Sequence, residues 1–549
     1  MPAGLCARRA GSGNGVHLKC HRSDVIHCTS ERRRRSQWKC RFRQTWEDQA
    51  TRGWPLAVRR TGDKGRVLAT ERPLVQGALA FEEAAVLAAP EGGTFACLHC
   101  FQEVPEGGSA RLSCNNCGLP FCGPECRAAL KELHIHECRL MRQLHDDLVP
   151  DAVEKGQAGT AVRLLCRGAA IKVAQPAVWQ RILQLDTVAL QPNERLLAEA
   201  AASVAASIPS LCGITFDDFL HIMGAAQCNS HDCHPKVSEG GASGDGLAAL
   251  FSLGSLLEHS CVPNCVKSSY MQESKVMFQL RALRDIEAGE PLSIAYVPLS
   301  DPTHMRQEVL QKRWGFRCNC VRCTHPTELG SGISSLRCGH CEGGWLEPAG
   351  EDYDQARAPW TCSQCERQRS WEDVTKMERG LQEQISEAED RDQWAPLAEL
   401  LGACRSRFHA NHWAVFRCAY AVATVRGGLA EEHTRLLVRG ACEDALRFCT
   451  LFGGPLRECA ARLHERQALA LLCSPPPSDA ERCPHYSEAL RLHSLADSAN
   501  QALYGSRWAT NKGFRQRTCL ILRCRDGGQG AADAVERLRA EERTNTCLR

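Results

Sequence analysis

Apolar and polar positions alternate in different rhythms along this chain. From Trp54 to Pro90 the apolar residues come in short clusters. Gly62 and Gly65 bracket a turn, Val67–Ala69 reads as a strand, and Val75-Gln76-Gly77 turns into Leu79–Phe81. Between residues 140 and 222 the spacing becomes helical, over Ala161–Ala174, Trp179–Leu185 and Asn193–Ala206. A Gly/Ser loop covers residues 236–246, and short strands resume at Val276–Phe278 and Leu292–Ile294. Asp301 followed by Pro302 reads as an N-cap and first-turn pair, opening a helix towards Trp314. After Cys365 an Ala/Leu-rich helical pattern continues to about Arg523. It is broken at Gly427-Gly428, Gly453-Gly454-Pro455 and Pro475-Pro476-Pro477, with no clean 34-residue repeat. The tail from Asp526 is polar and expected to fray.

Composition narrows the class. At 549 residues the chain exceeds a single core, so several domains or lobes are expected. Its 34 cysteines fall below the density of small disulfide scaffolds. No apolar run reaches the roughly 18 residues of a membrane span, and the basic N-terminal stretch has no apolar segment behind it, which argues against secretion. A reducing compartment follows, where spaced cysteines bind metal more often than they cross-link. The net charge of +3 conceals an asymmetry: residues 1–43 carry eleven Lys or Arg, Arg32 to Arg35 among them, against Asp24 and Glu31. The remaining body is acidic on balance, which argues against a nucleic-acid surface on it. The arm itself reads as a disordered extension or as an import or polyanion-binding tail.

The densest chemistry lies between residues 97 and 138. Cys97/Cys100, Cys114/Cys117, Cys122/Cys126 and His134/Cys138 are four successive ligand pairs. A zinc ion takes four such ligands in a tetrahedron, so four pairs make two closed sites. Further along, Cys318, Cys320 and Cys323 form a run of three that lacks a fourth ligand and calls for a distant partner. Cys338/Cys341 and Cys362/Cys365 have zinc-ribbon spacing. The group Cys228, His231, Cys233 and His234 reads as polar residues beside a site rather than as a metal centre.

A second constellation runs from Ser255-Leu256-Leu257-Glu258-His259-Ser260-Cys261-Val262-Pro263-Asn264-Cys265, through Gly289-Glu290-Pro291-Leu292-Ser293-Ile294-Ala295-Tyr296, to Phe316-Arg317-Cys318-Asn319-Cys320-Val321-Arg322-Cys323. Here the chain resembles the SET-and-MYND (SMYD) family of protein lysine methyltransferases, nearest its arthropod SmydA-type branch. The resemblance covers roughly Trp54 to Cys365, and more weakly the C-terminus around His409-Ala410-Asn411-His412-Trp413. It implies an α+β multidomain fold in this order: a basic extension (1–53), the N-terminal part of SET (54–96), a MYND zinc finger (97–138), a helical insert (139–225), the SET core (226–300), a post-SET zinc region (301–370), a helical, tetratricopeptide-like lobe (371–525) and a flexible tail (526–549).

The same resemblance assigns residues. Cys97, Cys100, Cys122 and Cys126 would hold one MYND zinc, and Cys114, Cys117, His134 and Cys138 the other. A third zinc would be held by Cys261 with Cys318, Cys320 and Cys323; by their spacing, not by the resemblance, the ribbon pairs would make a fourth. All are closed and therefore structural. The reaction implied is methyl transfer from S-adenosylmethionine to a protein lysine, histone or not, with Tyr296 orienting the amine. Lys64, Gly65 and Arg66 fall at the cofactor turn, with Val67 where a second glycine is expected. A β-branched residue does not readily take positive φ, so that turn must differ in shape. Glu258 replaces an asparagine that contacts the cofactor's amino-acid end; a carboxylate there would attract its ammonium and repel its carboxylate. His259 would act through its backbone against the adenine, and Phe316 would stack on the ring. Asn229, His231 and Trp314 would line the lysine channel. Two functions are compatible with this pattern: an active lysine methyltransferase, or a zinc-stabilised interaction or regulatory adaptor whose MYND module grips a proline-containing peptide. Neither involves a membrane or sequence-specific nucleic acid, and a nuclear or cytoplasmic monomer is expected.

Overall fold

The computed structural model describes residues 47–62, 65–91, 96–102, 112–148, 157–233, 246–348, 358–391, 394–424, 431–452, 454–474, 481–505 and 511–526, with single positions 104, 429, 478, 508, 533, 536 and 537. The chain divides into two units, 1–52 and 53–549. In the first, a helical turn at 47–50 is followed by Thr51, whose hydroxyl donates to the Glu47 carbonyl at 3.1 Å. The basic arm before it, Lys64, His234, the loop at 236–245 and most of the polar tail lie outside the described residues.

The second unit begins with an antiparallel hairpin of β1 (Leu56–Thr61) and β2 (Gly65–Thr70), paired from Leu56–Thr70 to Thr61–Gly65. Next come β3 (Leu79–Ala84) and β4 (Leu87–Pro90), then the two-residue strands β5 (Leu112–Ser113) and β6 (Pro120–Phe121), which pair with each other. The helix Pro124–Leu148 follows, with four more at Gln157–Ala174, Pro176–Ile182, Pro192–Ala206 and Phe216–Asn229. β7 (His231–Cys233) and β8 (Leu247–Leu250) join β4 in the order β4-β8-β7. β9 (Glu258–His259) leads into the long hairpin of β10 (Cys265–Gln272) and β11 (Lys275–Ala282), which β3 extends at the β11 edge. β12 (Ser293–Ile294) returns parallel to β9, with Ser293 opposite Glu258 and Ile294 opposite His259.

Local chemistry sets the helix ends. Thr215 and Asp218 form a reciprocal capping box at the start of Phe216–Asn229, Gln191 and Glu194 another before Pro192–Ala206, and Ser370 caps Trp371–Asp390. Asp301 does not cap the next helix as its position before Pro302 suggested. That helix is Thr303–Trp314, Pro302 is its N-cap residue, and Asp301 instead offers its carbonyl to Arg306. Proline's fixed φ suits the extended cap as well as the first turn. Gly315, at φ +74°, ends the helix.

Beyond it, β13 (Leu336–Arg337), β14 (Trp345–Pro348), β15 (Trp360–Cys362) and β16 (Gln368–Arg369) make a four-stranded antiparallel sheet. Among the described residues seven helices follow from Trp371 to Asp526, each packed on its neighbour in sequence. They share one apolar cluster with the small sheet, from Ile333 and Trp360 through Trp413 and Phe448 to Ile521. A second cluster joins β4 to the helices between 124 and 229. The helix Arg482–Tyr504 reaches the β10–β11 hairpin, where the Leu503 carbonyl accepts from Gln279 Nε2 at 3.1 Å and Ser268 Oγ at 3.3 Å.

Candidate active site and metal centres

Four groups of soft ligands assemble. Cys97, Cys100, Cys122 and Cys126 form one; Cys114, Cys117, His134 and Cys138 the second; Cys261, Cys318, Cys320 and Cys323 the third; Cys338, Cys341, Cys362 and Cys365 the fourth. In each, all ligand atoms lie within 4.8 Å of one another. The recorded sulfur–sulfur contacts run from 3.4 Å (Cys122–Cys126, Cys323–Cys261) to 3.7 Å (Cys338–Cys365). A tetrahedron of Zn–S bonds of about 2.3 Å has edges of roughly 3.8 Å, so each group could hold a zinc ion.

The backbone is built for this. In three C-x2-C turns the residue after the second cysteine is left-handed: Phe101 at φ +59°, Gly118 at +73° and Glu366 at +56°. Its N–H closes the turn on the first cysteine's carbonyl, at 2.9, 2.9 and 3.2 Å respectively. A left-handed non-glycine residue costs about 1–2 kcal/mol, and the closed turn brings the two sulfurs side by side. At Gly344 a Cβ would stand 2.6 Å from Cys341 Sγ and 2.7 Å from Cys362 Sγ, so only glycine lets the chain pass that close.

Charged residues that the sequence did not flag support two of the groups. On the Pro124–Leu148 helix, His134 and Cys138 are one turn apart and face the same side. Glu137 Oε1 lies 3.0 Å from His134 Nδ1, turning Nε2 towards the thiols, and Arg167 holds the buried Glu137 with Nε at 2.5 Å. Burial pushes the Glu137 carboxyl up, but Arg167 and His134 outweigh it and hold it below the usual range. The spacing H-x2-E on a helix was the available signal. In the third group, buried Arg306 donates from Nε to Cys261 at 3.1 Å and from Nη2 to Cys323 at 3.3 Å. Its Nη1 and the Nε of Arg322 share Glu328 Oε2, each at 2.8 Å. Four thiolates around a divalent ion would leave two negative charges, which these guanidiniums would offset in a dry setting. Arg306 is 45 residues from Cys261, so no local pattern announces it.

His259 joins this group to the expected catalytic tyrosine. Its Nδ1 accepts the Tyr296 backbone N–H at 3.0 Å, and its Nε2 lies 3.3 Å from Cys261 Sγ. The side chain of His259, and not only its backbone, is therefore engaged. Asn264 ties the flanking segments: it donates to Glu290 Oε1 at 2.9 Å and the Pro291 carbonyl at 2.8 Å, and accepts from the Ser293 N–H at 2.8 Å.

Tyr296 borders a cavity of about 50 Å³. That is room for a few waters or the tip of an aminoalkyl chain, and far too little for a nucleotide. Asn229, His231, Asp232, Gly254, Lys267, Arg313 and Trp314 are among its lining residues. The Tyr296 hydroxyl donates to the Leu257 carbonyl. Burial, with the nearby Cys228 and the Glu258 carboxylate, pushes its pKa above the ordinary tyrosine value. Trp314 stands 5.2 Å from the Tyr296 ring and anchors its indole N–H on the Cys228 carbonyl at 3.1 Å. Asn229 spends its amide protons on the Asp186 and Ala225 carbonyls, at 2.8 and 2.9 Å. His231 packs against Phe278 and Phe251; burial, with Lys267 and Arg313 adding, pushes its pKa down to about 3.

Beneath this cavity sits a carboxylate that the sequence reading passed over. Glu83 accepts the backbone N–H groups of Ser252, Leu253 and Gly254, at 3.1, 2.7 and 2.8 Å. Burial pushes it up to about 7, against the pull of those N–H groups and Arg181. The period-two alternation of β3, which sets Glu83 on the same face as buried Phe81, was its signal.

The expected cofactor positions are less uniform. Gly65 makes the β1–β2 turn at φ +72°, and among the described residues nothing lies within 4 Å of where its Cβ would stand. The backbone there is open to close approach by a ligand. Val67 keeps strand geometry, buried opposite Arg59, so the turn rests on Gly65. The Arg66 guanidinium is held by the Gln184 carbonyl and Asp186, both at 2.8 Å. Glu258 is half-buried on β9, and Phe316 lies 6.0 Å from His259 and 6.5 Å from Tyr296.

Comparison with known families matches the SET domain over residues 26–297. Among curated proteins the chain is 27% identical over 279 residues to the SET domain-containing protein SmydA-8, isoform A, of Drosophila melanogaster, covering 50% of this chain and 57% of that one. It is 26% identical over 292 residues to the human Histone-lysine N-methyltransferase SMYD3, covering 49% and 62%. It is 22% identical over 351 residues to the Arabidopsis thaliana Histone-lysine N-methyltransferase ASHR1, covering 59% and 67%. The chain thus spans under two thirds of the length of the Drosophila and human proteins. The match and the kinds of relative it retrieves agree on one conclusion: the chain belongs with the SET-domain proteins, in their SMYD branch.

Proposed function

We propose that this protein is a protein-lysine N-methyltransferase that uses S-adenosylmethionine, and that its zinc ions are structural. The carrying observation is the setting of Tyr296, its hydroxyl proton committed to the Leu257 carbonyl beside a cavity of side-chain size. With that proton spoken for, the oxygen's lone pairs are left to accept an amine N–H. Its raised pKa keeps the hydroxyl protonated, so Tyr296 orients the amine and does not deprotonate it. S-adenosylmethionine, when bound, supplies the activated methyl group. Gly65, with open space on its Cβ side, suits the close approach such a ligand needs. Phe316 and His259 offer ring faces beside Tyr296, and Trp314 walls the amine's approach. Alignment of the amine is the main task left to the protein. An amine of pKa about 10.4 must first lose its proton, and Lys267 and Arg313 in the lining disfavour the charged form.

The zinc groups serve architecture, because four protein ligands leave no open coordination position. The group around Cys261 staples residues 318–323 against the Tyr296 segment. The two groups between 97 and 138 support a partner-binding face for a proline-containing peptide, on which Ile135 is 60% exposed. The lobe after residue 371 covers the core; the protein works as a monomer, and a place in nucleus or cytoplasm fits the histone-lysine N-methyltransferases among its relatives.

A second reading, an interaction protein with a silent core, is favoured by Glu258, whose carboxylate stands where a neutral amide is expected. Calorimetric titration with S-adenosylmethionine decides between them. Binding by the parent chain is expected. Absence of binding, with binding appearing in Glu258→Asn, would overturn the enzyme reading and leave the second.

A further inference from the structure

The cavity beside Tyr296 carries an uneven charge. Lys267 enters it from β10 and Arg313 from the last turn of the Thr303–Trp314 helix, against one carboxylate, Asp232. Among the described residues neither cation joins a salt bridge, and Arg313 rests 4.7 Å over the Trp314 ring. Lys267 is half-buried, Arg313 and Asp232 exposed. Both cations also bear electrostatically on the His231 imidazole, which lines the same cavity. This positive mouth belongs to an otherwise acidic body: the net +3 less the +9 of residues 1–43 leaves −6 for the rest.

A lysine entering such a mouth brings a positive charge towards two others. Its neighbours in sequence then decide the encounter, because peptide residues within about 8–10 Å of the rim feel its field. Flanking carboxylates are attracted and flanking lysines or arginines repelled; a rim of this kind selects by charge as much as by contact. We infer that Lys267 and Arg313 are specificity-determining residues, and that the ligand of this site is a lysine flanked by acidic residues. The inference rests on the proposed reading of the cavity as a lysine channel.

The test is fluorescence anisotropy with the full chain and two labelled peptides, each with one central lysine, flanked by Asp and Glu in one and by Lys and Arg in the other. The acid-flanked peptide is expected to bind at least about tenfold tighter at low salt, with a gap that narrows as salt is added. Lys267→Glu with Arg313→Glu should reverse the order, and Lys267→Gln with Arg313→Gln, milder should the reversal unsettle the fold, should erase it. Equal affinities, preference for the basic peptide, no binding of either, or an unchanged gap in the folded variants would each overturn the inference. Titration with S-adenosylmethionine in parallel separates the two levels. Lost cofactor binding with intact charge preference sinks the enzyme and spares the rim; cofactor binding without preference does the reverse.

Discussion

The Nδ1 of His259 accepts the backbone N–H of Tyr296 at 3.0 Å, and this bond fixes the state of the imidazole. With Nδ1 an acceptor, the ring proton of the neutral form sits on Nε2, facing Cys261 Sγ 3.3 Å away. One ring thus sets the position of the tyrosine and supports a metal-type ligand. Replacing His259 with Ala should leave the Tyr296 N–H buried and unpaired, at a cost of about 1–3 kcal/mol. Urea unfolding measures that loss, and zinc release to a chromogenic chelator should quicken alongside it. Unchanged values in both would remove His259 from this role.

Tyr296→Phe keeps the ring against Trp314 and His259 and removes only the hydroxyl. Methyl transfer to a lysine peptide should fall about 10²–10³-fold, the usual loss for one oriented polar group at a reacting centre. Stability should fall by no more than the loss of the bond to the Leu257 carbonyl, about 1–3 kcal/mol, so the fold survives the change. A variant of parental activity would mean that the amine is oriented elsewhere.

Arg306 is the central buried charge beside Cys261 and Cys323. Arg306→Met should destabilise the fold by about 3–5 kcal/mol, because two thiolates lose their charged donor and Glu328 keeps only Arg322 of its two guanidiniums. Metal retention under a chelator should drop in the same variant. Retention equal to the parent's would show that the guanidinium is not needed to hold the metal.

Glu83 gives a pH dependence of definite sign. Its folded pKa, about 7, lies above the ordinary glutamate value of 4.5, so folding favours the protonated acid. Its contribution is complete below pH 4.5 and is lost as pH rises through 7. At about 1.4 kcal/mol per pH unit of separation, the loss is at most about 3.5 kcal/mol. Glu83→Gln should flatten the fall in stability between these limits, measured by denaturant unfolding at each pH. A parental slope in the variant would assign the effect to another group.

Elemental analysis of the purified chain should find four zinc ions, and Cys362→Ser should lower the count by one. Prolonged chelation should unfold the segments whose cysteines it strips, seen as lost protection from proteolysis between 97 and 138. A zinc count unaffected by Cys362→Ser would remove the ribbon from the metal sites.

Several levels of this architecture were legible along the chain. The helices Gln157–Ala174 and Pro192–Ala206 lie where apolar spacing indicated them. Boundaries were less so: Pro302 moved the next helix start to Thr303, and Pro176 opened a helix three residues before Trp179. Periodicity reports a buried face, while the ends depend on single capping bonds.

What the sequence by itself determined is local. A C-x2-C turn is closed by its own backbone hydrogen bond, and an H-x2-E pair shares a helical face, so neighbours along the chain suffice for both. Only the tertiary structure decided what meets across long separations: Cys261 against Cys323, Arg306 beside both, Glu83 under Gly254, and Lys267 with Arg313 at one cavity. Burial drives such meetings without naming the partners, because the hydrophobic effect has no direction. The folded core then imposes a geometry on the polar groups it has stranded, and each must find its counterpart there or destabilise the fold.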